Sequence, residues 1–437
     1  MPWNNIVDGK LRLKAYTIAL NVAKAISDKT LNRGKYAADI IHPSSLVEGH
    51  AGFAMLCNYC HVCQPNHNWK DIAHQHIRVA LDALNNQANI DLGLFNGITG
   101  ICLAMDYLAK TELRYNETLM ALDRIIIPRI NKKISKLKES KKGLYTGEYD
   151  LVSGISGIGA YALMRHKDPE YRQTIEDLLQ CILYLVGMDG NIPRWYTPPE
   201  KMKGTLAACF KNGFLDCGLA HGIPGLLSVM SLAQINGTTV PGQLEAIDKV
   251  ATWLLNNATP DKWGINWPAA VPLDKYQENT VKDTEKFFSQ DKPTKMAWCY
   301  GAAGILRALW LAASALESTT LKDRVIRDLI AALSKPEKKY YLSSPTFCHG
   351  YSGLLHIANV FYNDTGNQFL KQKSNDLIIK ILSNFNAKSE FGFQNISYDN
   401  QKEDLPGILE GASGICLTLL AATTNISPHW NRIFLCS

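Results

Sequence analysis

A Gly-x-x-Gly element followed by an apolar stretch occurs seven times along this chain. The copies are EGHAG (Gly49, Gly52), NGITG (Gly97, Gly100), SGISG (Gly154, Gly157), HGIPG (Gly222, Gly225), YGAAG (Gly301, Gly304), HGYSG (Gly350, Gly353) and EGASG (Gly411, Gly414). One such element carries little information. Seven, followed by runs such as GICLAMDYL and GICLTLL, define a repeat architecture, in which each unit buries its apolar face only against its neighbours. Successive first glycines lie 48, 57, 68, 79, 49 and 61 residues apart. A unit of about 50 to 60 residues holds two helices and their connections. Long stretches between the motifs, Tyr171 to Val186 and Leu321 to Leu333 among them, repeat apolar residues at three- and four-residue spacing, and strand-like alternation is scarce. The pattern predicts an all-α protein of seven helix pairs.

An open stack of pairs needs polar capping units at both ends. Here the first and last copies carry the full apolar motif, and closure into a ring of seven helix-pair repeats removes the need for caps. The whole of residues 1–437 then forms one domain. The glycines are expected to allow close backbone approach at each helix start and to accept positive φ at the turn. The third and fourth spacings exceed the shortest by 20 and 31 residues. They contain NIPRWYTPPEKMKG and DKWGINWPAAVPLDKYQ, within insertions at about 188–215 and 257–296. These read as loops or short strands on one face, where long per-repeat insertions often mark binding.

The reactive residues fall into register with the repeat. Immediately before the first glycine of each copy stand Glu48, Asn96, Ser153, His221, Tyr300, His349 and Glu410; one position earlier stand Val47, Phe95, Val152, Ala220, Cys299, Cys348 and Leu409. A ring brings equivalent positions together at one end of its axis. Cys299, Cys348 and His349 then form a Cys₂His set, which suits zinc with a fourth position left open. Read singly, each cysteine is equally a small buried hydrophobe; the shared register favours a metal. His221 is a fourth ligand, a general acid beside an open site, or a satisfied histidine. Asp150, four residues before Gly154, either orients His221 or serves as a helix-start residue.

Bulk properties narrow the classes. With 46% hydrophobic and 20% charged residues the composition is that of a globular protein, and a net charge of +6 gives no argument for nucleic acid. The first residues lack a signal-peptide core, and no run of 18 apolar residues occurs. A cytoplasmic location is expected, and the eleven scattered cysteines are expected to be free or metal-bound.

The elements YDLVSGISG, GLAHGIPG, AWCYGAAG and FCHGYSG resemble the signatures of the lanthionine synthetase C (LanC-like) family, and the seven motifs extend that resemblance over nearly the whole chain. It implies an α/α toroid of seven inner and seven outer helices, with a small strand-containing insertion that takes part in peptide binding. It implies one Zn2+ on Cys299, Cys348 and His349, catalytic roles for His221 and Asp150, and a pocket role for Tyr300. Bacterial members carry Arg four residues before the first zinc cysteine; Lys295 stands there, keeping the charge but losing the bidentate fork. The activity implied is a lantibiotic cyclase, joining cysteine thiols to dehydroalanine or dehydrobutyrine in a dehydrated precursor peptide. Zinc would deprotonate the incoming thiol, His221 would protonate the α-carbon, and Lys295 or Tyr300 would stabilise developing negative charge. Expected partners are a dehydratase and an export transporter, with peripheral attachment at the inner membrane face through them. Two other readings remain: addition of glutathione to dehydrated residues, whose eukaryotic practitioners carry Trp-Cys-His-Gly where this chain has Trp298-Cys299-Tyr300-Gly301, and a non-enzymatic scaffold.

Three further features have bland explanations. The segment CNYCHVCQPNH, Cys57 to His67, matches a haem-attachment pattern and offers zinc ligands, but lies where the first motif's helix continues. The basic run NKKISKLKESKK, residues 131–142, reads either as a contact for an acidic leader peptide or partner or as a solvated helix face. Trp263, Trp267 and Trp298 line a peptide groove or belong to the core.

Overall fold

Each of the seven motifs begins a helix. The computed structural model describes residues 2–31, 42–87, 90–110, 113–140, 143–202, 209–273, 294–397 and 399–437. In chain order its long helices are α1 (Gly9–Leu31), α2 (His50–Cys63), α3 (Trp69–Asn85), α4 (Ile98–Ala109), α5 (Asn116–Glu139), α6 (Ile155–Met164), α7 (Pro169–Leu185), α8 (Ile223–Ile235), α9 (Gln243–Asn256), α10 (Ala302–Ala315), α11 (Thr319–Leu333), α12 (Tyr351–Thr365), α13 (Gln368–Ser383) and α14 (Ala412–Thr423). The even-numbered helices follow the motifs and are buried over most of their length; every residue of α14 is buried. Such helices can only be interior. The odd-numbered ones are amphipathic, as α3 shows by burying Ala73, Ile77, Ala80 and Leu84. They form the outer layer.

The inner helices make a closed circle. Contacts run from α2 to α4, α6, α8, α10, α12 and α14 in turn, and from α14 back to α2. Each outer helix packs on an inner one, but the pairing is offset: the seventh inner helix, α14, is covered by α1. The two ends of the described chain therefore complete one helix pair. The fold is an α/α toroid, as the repeat implied.

A second ring, of backbone hydrogen bonds, runs through the loops before the helices. Leu46 N–H donates to the Phe95 carbonyl, Phe95 to Val152, Leu151 to Ala220, Ala220 to Cys299, Cys299 to Cys348, Cys348 to Leu409, and Ile408 to Val47, at 2.6–3.4 Å. Four of these links join the same register position in adjacent repeats, and three are offset by one residue. The second glycine of each motif makes this possible. A Cβ on Gly304 would lie 2.1 Å from the Trp298 carbonyl oxygen, and one on Gly414 1.9 Å from that of Ile408. The expectation of positive φ is corrected: the first glycine is extended in six motifs, and only Gly301, at φ 104°, is left-handed. Close approach, not handedness, selects these glycines.

The long spacers do carry strands. β1 (Met188–Asp189) and β2 (Ile192–Pro193) form one hairpin, and β4 (Thr259–Asp261) with β5 (Gly264–Asn266) another. β3 (Phe214–Asp216) pairs antiparallel with β6 (Ala270–Pro272), tying the two insertions together. A further hairpin, β7 (Asn395–Ile396) with β8 (Lys402–Glu403), lies in the last spacer, where none was expected. Residues 274–293 of the second insertion lie outside the described residues. Among the described residues, no helix is long and apolar enough to cross a membrane, and all eleven cysteines are free.

Candidate metal and acid–base site

The hydrogen-bonded loop ring places the singular residues of repeats four to six beside one another. Cys299 N–H donates to the Cys348 carbonyl at 3.3 Å, and Ala220 N–H, next to His221, donates to the Cys299 carbonyl at 3.4 Å. Each thiol biases the other: Cys348 lowers the Cys299 thiol, while Cys299 and burial together raise that of Cys348. Ligand atoms of Cys348, His349 and Glu410 all lie within 4.8 Å of one another, with His349 Nδ1 3.6 Å from Glu410 Oε1. Burial, aided by the Lys295 charge, pulls His349 down to about 4, so its imidazole is neutral at neutral pH, the form a metal binds. Two thiols and a neutral imidazole are a donor set that fits a zinc-type ion. Lys295 is lowered by burial, against the raising effect of Cys299 and Cys348, beside which its ammonium charge stands.

Facing these residues is an acid–base pair. His221 Nδ1 lies 2.7 Å from Asp150 Oδ2. Asp150 Oδ1 accepts from Ser153 and Gly154 N–H at 2.8 and 2.9 Å. The helix-start role and the orienting role proposed for Asp150 thus coexist, one on each oxygen. Burial depresses the His221 pKa, but the Asp150 hydrogen bond and the charges of Asp150, Asp216 and Cys299 outweigh it and raise it above the ordinary value. The Tyr300 ring sits 6.1 Å from that of His221. Its hydroxyl donates to Asp216 Oδ2 at 2.9 Å.

A family model described as lanthionine synthetase C-like protein matches residues 40–435. The chain belongs to this family. A LanC-like relative, the nisin biosynthesis protein NisC of Lactococcus lactis subsp. lactis, is 26% identical over 362 residues, covering 82% of this chain and 81% of that protein. The solved structure of a nisin cyclase aligns with a TM-score of 0.80 at 21% identity, over 96% of this chain and 98% of the other. That likeness shows the toroid fold.

Two acidic residues beside this group escaped the sequence reading. Asp216, at the end of β3, is buried; burial raises it to about 6, against the lowering influence of His221, the Gly218 N–H and Tyr300. It stands six residues before its first glycine, the register of Lys295 and also of Asp91, which makes the same turn by accepting from Gly93 N–H. Comparison at that register would have found it. Glu410 was aligned with His349 but not considered as a metal neighbour, yet it, rather than Cys299, completes the group of ligand atoms within 4.8 Å of one another; burial first, then the charges of Glu48 and Glu403, raise its pKa.

The structure also settles the distractors. Cys57 and Cys60 are fully buried on α2, Cys57 touching Ser27 Oγ at 3.2 Å, and burial pushes the Cys57 thiol up to about 12. They are packing residues. Trp267 and Trp298 have no exposed surface, which removes them from any groove. Trp263 sits on the β4–β5 turn under the ammonium groups of Lys262 and Lys339. Residues 131–139 of the basic run fall on outer helix α5, where Lys133 reaches the Ser153 carbonyl at 3.1 Å, and 141–142 lie outside the described residues.

Proposed function

We propose that this chain is a lantibiotic cyclase that forms lanthionine and methyllanthionine thioether rings, with Zn2+ held by Cys299, Cys348 and His349. The observation that carries the proposal is the loop ring that sets two thiols and a neutral imidazole against the His221–Asp150 pair. The relative named as a nisin biosynthesis protein supports the substrate class, a modified precursor peptide.

A cysteine thiol of the peptide must lose its proton, and its sulfur must bond to the β-carbon of a dehydrated residue. A zinc ion on the three ligands would supply the thiolate at neutral pH. The addition leaves negative charge on the α-carbon and its carbonyl oxygen. His221, whose protonated form its carboxylate partner favours, delivers the proton to the α-carbon. Asp150 holds Nδ1, leaving Nε2 as the nitrogen that acts. Lys295 is the cation available for the developing oxyanion. Tyr300, fixed by Asp216, offers a wall against the His221 ring. The addition is redox-neutral, so no organic cofactor is required. In this reading a dehydratase supplies the dehydrated residues, an exporter removes the product, and the enzyme works in the cytoplasm, peripheral to the inner membrane face through those partners.

The test incubates zinc-loaded protein with a dehydrated precursor peptide and counts free thiols. The wild type should consume them and Cys348→Ala should not. Equal consumption by both overturns the proposal.

A further inference from the structure

The two repeats that supply the thiols differ from the other five one residue before the cysteine register. That position holds Leu46, Leu94, Leu151, Leu219, Trp298, Phe347 and Ile408, none with any exposed surface. Only repeats five and six are aromatic there, and both aromatics meet a single segment that follows the seventh repeat. In the short helix His429–Phe434, Phe434 stacks on Phe347 with ring centroids 3.7 Å apart and lies edge-on to Trp298 at 5.0 Å. Trp298 Nε1–H donates to the Phe434 carbonyl at 3.0 Å. Trp430 stands edge-on to both Phe347 and Phe434. Beyond the helix, Leu435 adopts a left-handed φ of 52°, and Arg307 Nε–H holds the Cys436 carbonyl at 2.7 Å.

The backbone leaves these aromatic rings something to do. Of the seven links in the loop ring, the two that involve the Cys299 backbone are the longest, at 3.4 and 3.3 Å, against 2.6–3.0 Å for the rest. A metal site tolerates little misplacement of its ligands, about 0.5 Å. Cys299 therefore relies most on the side chain of the residue before it, while Cys348, whose N–H donates to the Leu409 carbonyl at 2.9 Å, is held by backbone and preceding side chain together.

We infer that Phe434 and Trp430 are positioning residues for the metal centre: they clamp Trp298 and Phe347, and through the adjoining peptide bonds fix the spacing of the Cys299 and Cys348 sulfurs. The inference rests on the reading of these cysteines as metal ligands. It assigns the segment after the last repeat a part in metal binding that its distance in sequence conceals.

The experiment measures zinc affinity by chelator competition, and the visible spectrum of the cobalt-substituted protein, for wild type, Phe434→Leu and Phe53→Leu. Phe53 is equally buried, on α2 of the first repeat, so both variants lose comparable packing and should unfold at similarly reduced denaturant concentrations. Only Phe434→Leu should weaken zinc binding, by about tenfold, and shift the cobalt bands; Phe434→Tyr, which keeps the ring, should restore both. If Phe434→Leu fails to fold, Trp298→Phe, which removes the bond to the Phe434 carbonyl, should weaken binding in the same direction. Unchanged affinity and spectrum in whichever of these two variants is measured overturns the inference, as does an equal loss in Phe53→Leu. A wild type that binds no zinc overturns the metal reading and this inference with it.

Discussion

Replacing Asp150 by Asn should move the alkaline limb of the cyclisation rate to lower pH. Asn keeps an oxygen for the Ser153 and Gly154 N–H groups, so the loop before α6 is preserved. What is lost is the negative charge 2.7 Å from His221 Nδ1. A hydrogen bond to a charged partner contributes about 1.5–3 kcal/mol. The His221 side chain is 40% exposed, so water screens the pair and the lower end applies. At about 1.4 kcal/mol per factor of ten, the imidazolium becomes roughly tenfold less populated relative to imidazole. The His221 pKa is raised in the folded protein. The pair's stabilisation is therefore complete below the ordinary histidine value near 6.5 and disappears as pH rises through the folded one. Acid catalysis follows the same window. The assay is the initial rate of thiol loss from a dehydrated peptide at a series of pH values, with the enzyme-free rate subtracted. The variant should run about tenfold slower on the alkaline limb and approach wild type as the pH falls. A variant profile that superimposes on wild type, or shifts to higher pH, refutes the assignment of His221 as an acid sustained by Asp150.

Three further outcomes are expected. Gly304→Ala forces a methyl within 2.1 Å of the Trp298 carbonyl and should cost about 3 kcal/mol, whereas Gly366→Ala, at φ +68° in open space, should cost about 1 kcal/mol; urea unfolding giving the reverse order contradicts the close-approach explanation. Asp123 is buried and accepts from Tyr161, Tyr171 and Arg165 at 2.8, 2.6 and 2.9 Å, so Asp123→Asn should destabilise by about 3–5 kcal/mol, and a loss under about 1 kcal/mol in the same assay sinks that reading. The double variant Cys57→Ala, Cys60→Ala should keep its full zinc content by metal analysis; a fall to half or less would make that cluster a metal site after all.

The parts of the molecule that repeat were legible in the sequence. Seven copies fixed the number of inner helices, and the shared register set Cys299, Cys348 and His349 at equivalent positions of adjacent loops before any coordinates. Closure was legible too, since neither terminal copy is polar. What escaped is what does not repeat. The pairing of α1 with α14 joins segments almost 400 residues apart and has no local signature. The β7–β8 hairpin is two residues per strand, too short to alternate. Asp216 hides in a strand whose partner, β6, lies in the other insertion. Trp298 and Phe347 were visible as aromatics, but the segment they pack on comes after the last motif. Positive φ at the glycines was expected from glycine's freedom; the structure uses its lack of a side chain instead, because the next carbonyl occupies the space a Cβ would need.

The most direct test of the metal centre is X-ray absorption at the zinc edge on protein purified without chelators. The proposed Cys299, Cys348 and His349 centre predicts one zinc per chain, with two sulfur neighbours at about 2.3 Å and at least one nitrogen at about 2.0 Å, and one sulfur fewer in Cys348→Ala. Protein that carries no zinc, or zinc surrounded by nitrogen and oxygen alone, would contradict it.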